Sequence, residues 1–210
     1  MEYQAIRDIK PKHTGQGKVF TNPVLEKLTK SHAAIPISML VGFAAGFIYW
    51  GTQVSALSAF QYVWLVLSGL FVWSFFEYMM HKHLYHMLPT NQIKGWIQYN
   101  MHGVHHEYPK DKTRLAMPPV MMVIISFSFV YIFRFLIGDY TFGFTPGFLL
   151  GYASYLCVHY IVHAYQPPKN IFKALWINHA VHHYKDPDAA FGVSSPLWDY
   201  VFGTIPKKSQ

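Results

Sequence analysis

The 210 residues hold a single cysteine, Cys157, so no intrachain disulfide can form, and no CxxC or Cys/His zinc-finger spacing exists. That excludes the small extracellular folds that depend on disulfide staples. Charge is scarce too. Lys, Arg, Asp and Glu make up 13% of the chain, against the ~25% usual for soluble domains, while hydrophobic residues reach 52% and aromatics 18%. Too few charges remain to coat a water-soluble globule of this size, and the composition is that of a membrane protein. The N-terminal stretch "MEYQAIRDIKPKHTGQGKVF" lacks a short apolar core followed by small residues. This argues against a cleaved signal peptide and leaves insertion to the first spanning helix.

The net charge of +7 does not point to nucleic acid, because the basic residues flank apolar runs instead of forming a patch on a soluble face. Residues 33–76 contain no Asp, Glu, Lys, Arg or His, a run of 44. One helix needs ~20 apolar residues to cross a bilayer, so this run predicts two spans with a turn near Gly51, Thr52 and Gln53. Two more apolar runs start at Pro118 and Phe144, joined by a Gly-containing stretch over residues 138–143. Pro36, Pro118, Pro119 and Pro146 are expected near helix starts, where a missing N–H costs little. The fold class expected is all-α, an integral membrane protein with four transmembrane helices. Residues 1–32 form a cytosolic N-terminal tail and residues 33–210 a single membrane domain. Sixteen of the seventeen Lys and Arg fall on one side of such a bundle, which the positive-inside rule makes the cytoplasm for both termini. Arg134 alone lies near the other end, beside Asp139.

Eleven of the thirteen histidines lie between His81 and His183, all on that cytoplasmic side. They form "HKHLYH" (His81, His83, His86), "HGVHH" (His102, His105, His106), "HYIVH" (His159, His163) and "HAVHH" (His179, His182, His183). Positions i, i+3 and i+4 share a helix face, so each HxxHH triplet is expected to present three imidazoles to one metal, and His159 with His163 to present two. His81 and His86 fall ~140° apart on a straight α-helix; either the helix ends there or the two address different metals. A lone histidine more often bonds locally in a core or on a surface, but the repeated motif outweighs that reading. Neutral imidazole ligates iron, zinc, copper and nickel, and so many rings exceed the capacity of one ion. The expectation is a cytoplasmic histidine-rich cap holding two metals.

The order HxxxxH, HxxHH, HxxxH, HxxHH beside four apolar runs resembles the fatty acid hydroxylase and sterol desaturase superfamily. With "EYMMHKHLYHMLP", "MHGVHHEYPKDKTRLAMPP" and "FGVSSPLWDYVFGT", residues 77–204 look most like its fatty acid 2-hydroxylases. The resemblance implies that the metal ligands and catalytic residues are His81, His86, His102, His105, His106, His159, His163, His179, His182 and His183. His83 falls where the family pattern has no ligand. The resemblance further implies two Fe ions that use O2 to hydroxylate a lipid acyl chain, at carbon 2 of a fatty acid or of a sphingolipid N-acyl chain. Zn could occupy the same ligands in a purified sample but is redox-inert. The implied partners are a lipid acyl substrate, the membrane and a separate electron donor of cytochrome b5 or ferredoxin type, since the HPGG motif of a fused cytochrome b5 domain does not occur. The implied location is a bacterial inner membrane or the endoplasmic reticulum of a eukaryote. A sterol or carotenoid hydroxylase or desaturase of the superfamily has the same histidines. A metal transporter or store is the non-enzymatic alternative, weakened because transport sites lie near the bilayer midplane and these histidines lie at helix ends.

Three further features have a chemical and a plain reading. Glu77, one turn before His81, either accepts a proton from the free ring nitrogen of a ligand or sits in interfacial water. Lys110, Lys112 and Arg114, with Asp111 among them, either anchor the interface or hold a lipid headgroup or acyl carbonyl. The aromatic-rich tail over residues 191–202 either roofs the site or anchors at the membrane surface.

Overall fold

The computed structural model describes residues 3–206. Lys207 and Lys208, counted above among the cations of the cap side, lie outside them. In a bilayer an apolar chain must satisfy its own backbone, and every apolar run here is helical. The helices are α1 (Pro23–Leu28), α2 (Ala34–Val54), α3 (Ala59–Met79), α4 (Gln92–Gln98), α5 (Val104–Glu107), α6 (Pro119–Ile137), α7 (Thr141–Ala164), α8 (Lys173–Tyr184) and α9 (Leu197–Phe202). No strand occurs among the described residues. Three continuous helical stretches are long and apolar enough to cross a membrane: Ala34–Val54, Ala59–Tyr85 and Pro119–Ala164. The third runs for 46 residues but is not one rod. It breaks at a 3-10 turn, Gly138–Tyr140, entered through Gly138 with φ of 59°. There the chain doubles back, so that Phe133 meets Phe144 and Phe129 meets Phe148 across α6 and α7.

The turn between the first two helices is not at Gly51. α2 continues through Gly51, Thr52 and Gln53 to Val54, and α3 starts after Ser58, whose hydroxyl accepts the Gln61 N–H while Gln61 Oε1 accepts the Ser58 N–H. This capping box satisfies donors that the helix end would otherwise orphan. Gly51 is instead buried where Phe142 and Tyr62 approach. Pro146 is likewise not at a helix start, because α7 begins at Thr141 and takes it inside.

α7 is the central helix, packed on α2, α3 and α6. It runs parallel to α3, with Gly143, Gly147 and Gly151 against Leu65, Val66 and Trp73. A Cβ on Gly147 would lie 2.1 Å from the Val66 carbonyl oxygen, and one on Gly69 would lie 2.2 Å from that of Phe144. This is the small-xxx-small device by which membrane helices bring their backbones close. The C-termini of α3 and α7 therefore emerge side by side, and the remaining segments gather on them as a cap. Residues 3–32 belong to that cap. The Lys12 N–H donates to the Glu107 carbonyl at 2.7 Å, the Gly17 N–H to Asp111 Oδ2 at 3.0 Å and the Ser31 N–H to the Thr113 carbonyl at 3.1 Å.

Candidate metal centre

α3 does not end at His81. It continues as a π-helical turn, Met80–Tyr85, in which the His86 N–H donates to the His81 carbonyl at 3.1 Å. Hydrogen bonding from i to i+5 widens the turn, so residues five apart come onto one face. The His81 and His86 ring centroids are 5.0 Å apart. The helix does end at this pair, but through a π turn that stops at Tyr85 with His86 as its cap, and the two rings face one point, so they do not address different metals. A second π turn, Tyr99–Gly103, sits at the first HxxHH.

The ten histidines fall into two groups of five: His81, His86, His102, His106 and His182, and His105, His159, His163, His179 and His183. Within each group the ligand atoms lie within 4.8 Å of one another, so each can hold a metal ion. His83 is exposed and belongs to neither. The expectation that each HxxHH triplet serves one metal is corrected. At 3.6 residues per turn, i+4 lies about 40° from i on one side and i+3 about 60° away on the other. The i and i+4 rings therefore meet in one group and the i+3 ring enters the next, so His179 and His183 part from His182, and His102 and His106 from His105. His159 and His163, spaced i and i+4, share a group as expected.

Ring nitrogens face each other at metal-sharing distance. Nε2 of His102 is 3.0 Å from Nε2 of both His81 and His106, and Nε2 of His105 is 3.0 Å from Nε2 of both His159 and His183. His163 and His179 meet at 2.7 Å. Two nitrogens each ~2.1 Å from one ion and at a right angle to each other lie ~3.0 Å apart, so this spacing fits coordination. The opposite nitrogens fix the tautomers. His81 Nδ1 lies 2.6 Å from the Phe191 carbonyl, His182 Nδ1 2.7 Å from that of Ala189 and His159 Nδ1 3.1 Å from that of Leu115. A proton held on Nδ1 leaves the Nε2 lone pair free, and the buried Nε2 atoms of His86 and His182 have no partner among the described residues. Burial, then neighbouring imidazoles, holds His102, His105, His106, His179 and His183 well below the usual histidine range, so these rings are neutral at pH 7. Burial also lowers His182, to about 4, against opposing contributions from the Ala189 carbonyl and Asp186.

Beside the two groups lies a cavity of about 480 Å³, largely apolar, with His102 of one group and His105 and His159 of the other in its wall. Met101, Met117, Met121, Ile125 and Leu156 supply much of the remainder. The sequence profile of the fatty acid hydroxylase family matches residues 66–204. The chain belongs to the fatty acid hydroxylase family. It is 38% identical over 146 residues to the dihydroceramide fatty acyl 2-hydroxylase FAH1 of Arabidopsis thaliana, covering 68% of this chain and 60% of that protein. It is 34% identical over 204 residues to the ceramide very long chain fatty acid hydroxylase scs7 of Schizosaccharomyces pombe, covering 93% and 57%. The chain thus spans about 60% of the length of these relatives. The solved structure of full-length scs7p, in which only the hydroxylase domain is visible, matches all of this chain and 82% of that one, with a TM-score of 0.87 and 30% identity.

Two residues singled out from the sequence have other roles in this family member. Glu77 neither touches a histidine nor faces water. It is buried, accepts the Val193 and Ser194 N–H groups on Oε1 at 2.8 Å and takes the Ser194 hydroxyl on Oε2. Asp199, which the sequence did not single out, accepts the Phe191 N–H at 2.9 Å and the Gly192 N–H at 2.8 Å. The two acids hold the loop whose Ala189 and Phe191 carbonyls orient His182 and His81, so the tail acts on the site through its backbone. Arg114 holds no free donor for a lipid carbonyl, because its guanidinium is bonded to Gly17, Thr29 and Glu26.

Proposed function

We propose that this chain is a membrane oxygenase that hydroxylates a lipid acyl chain at carbon 2, on a fatty acid or a sphingolipid N-acyl chain. The observation that carries the reading is the apolar cavity bordered by both histidine groups at once. Two irons are held by His81, His86, His102, His106 and His182 and by His105, His159, His163, His179 and His183. Five rings per group exceed the four ligands of a structural zinc site, and an all-imidazole donor set suits iron. When bound, the irons supply the redox chemistry that activates O2 for insertion into a C–H bond. The protein's part is to hold the histidines neutral, to fix their tautomers through the Phe191, Ala189 and Leu115 carbonyls, and to exclude water from the acyl chain with apolar walls. Reductive activation of O2 needs electrons that imidazoles and apolar side chains do not supply, so a separate carrier of cytochrome b5 or ferredoxin type delivers them. Carbon 2 is supported by the likeness to FAH1, a dihydroceramide fatty acyl 2-hydroxylase.

In this reading α2, α3, α6 and α7 cross the membrane four times, with both termini and the cap in the cytoplasm of a bacterial inner membrane or on the cytosolic face of the endoplasmic reticulum. The antiparallel pairing of α6 and α7, each near the ~20 residues a span needs, supports this, as does the clustering of cations at the cap end. Residues 33–210 then act as one domain. The test is to feed acyl chains deuterated only at carbon 2 to cells making the chain. The 2-hydroxy product should lose one deuterium; a hydroxylated product keeping both, or oxidation only on a sterol or carotenoid ring, overturns the reading.

A further inference from the structure

One side of the cavity is built by a segment outside the matched family region. Val19, Phe20 and Thr29 line the same space as His102, His105 and His159, yet the family match begins at residue 66. The segment is held by a buried charge pair. Glu26, 9% exposed, accepts the Val19 and Phe20 N–H groups on Oε2, each at 3.0 Å, and pairs through Oε1 with Arg114, whose side chain is 5% exposed. Arg114 also donates to the Gly17 carbonyl at 3.4 and 3.3 Å, and to the Thr29 carbonyl and hydroxyl at 3.3 and 2.7 Å. One carboxylate thus fixes the backbone of the two residues whose side chains face the cavity, and one guanidinium fastens the segment before and after them. A wall that carries none of the ten histidines can change the shape of the cavity without moving a ligand.

We propose that residues 17–31 form the specificity-determining wall of the acyl cavity, with Val19 and Phe20 selecting which chains fit and Glu26 as the positioning residue that holds both in place. The inference rests on the acyl-chain reading above. It explains why Arg114, the cation best placed to hold a lipid carbonyl, is fully engaged elsewhere: its guanidinium serves the wall.

The test compares wild type with Phe20→Ala, Phe20→Trp and Glu26→Gln in membranes supplied with an equal mixture of acyl chain lengths. Products are read by lipid mass spectrometry and metal per chain by elemental analysis. Phe20→Ala should raise the ratio of longer to shorter products by about threefold or more, since a single methylene in an apolar pocket can discriminate by about 10-fold or more. Phe20→Trp should shift the ratio the opposite way, and Glu26→Gln should flatten the profile while metal content stays that of wild type. Unchanged profiles in all three variants at wild-type metal content overturn the wall. A second measurement does not depend on turnover: an acyl lipid with a diazirine at its chain end is irradiated with the wild-type protein. Adducts on residues 17–31 support the wall, and adducts confined to α6 and α7 overturn it. Adducts on the wall from a wild-type chain that makes no 2-hydroxy product would sink the function reading and leave the wall standing.

Discussion

Burial alone would raise the carboxyl pKa of Glu26, but the Phe20 and Val19 N–H groups and the Arg114 guanidinium outweigh it and bring the value to about 2. Lys30, at 3.5 Å, faces the same carboxylate. An unfolded glutamate titrates near 4.3, so the stabilisation from Glu26 is complete above that pH and is lost as pH falls toward the folded value. Amide protection over residues 17–31, corrected for intrinsic exchange, should hold steady from about pH 7 to 5 and fall below about pH 4. In Glu26→Gln it should be low throughout. Steady protection in wild type down to pH 3 would contradict the assignment. At this scale the ten histidines were legible because ligation demands repeated imidazoles at helical spacings. Their partition was not, because HxxHH read as one face hides the angle between i+3 and i+4. The anchoring of residues 17–31 was also hidden, since nothing local to Glu26 or Arg114 announces a partner 88 residues away.

The parallel contact of α3 and α7 decides whether the two histidine groups can form side by side, because the π turn that continues α3 carries His81 and α7 carries His159 and His163. Gly147→Ala sets a methyl group 2.1 Å from the Val66 carbonyl oxygen and must push the helices apart. Overpacking of this kind costs about 1–3 kcal/mol, so the variant should melt earlier in a detergent thermal-shift assay and retain less metal. Gly46→Ala in α2, with nothing within 4 Å of the new methyl, should do neither. The four apolar helices could be read from hydropathy, which needs only composition over ~20 residues. The π turn after α3 could not, because a spacing of five is out of phase with an α-helix and the widening that restores its phase depends on what the rings face. The end of α2 was misplaced for a related reason: Gly51 looks like a turn residue but is a point of close approach.

Read as a whole, the molecule has two ends with opposite characters. Among the described residues, every Lys and Arg except Arg134 lies at the cap end, and Arg134 pairs with Asp139 at the other. In a Cys157→Ser background, single cysteines at Ala56 and Tyr140 should react with impermeant thiol reagents from one face of sealed vesicles, and a cysteine at His13 from the other. Reaction of all three from the same face would overturn the four-span topology. Two helical segments, α8 and the His102–His106 turn, supply histidines to both groups, which couples the two sites. An ion held in the first group would restrain α8 and the His102–His106 turn, and a second would then meet a site whose conformational entropy had already been given up. Metal uptake is expected to be cooperative, with a half-supplied sample being a mixture of filled and empty chains and few that carry a single ion.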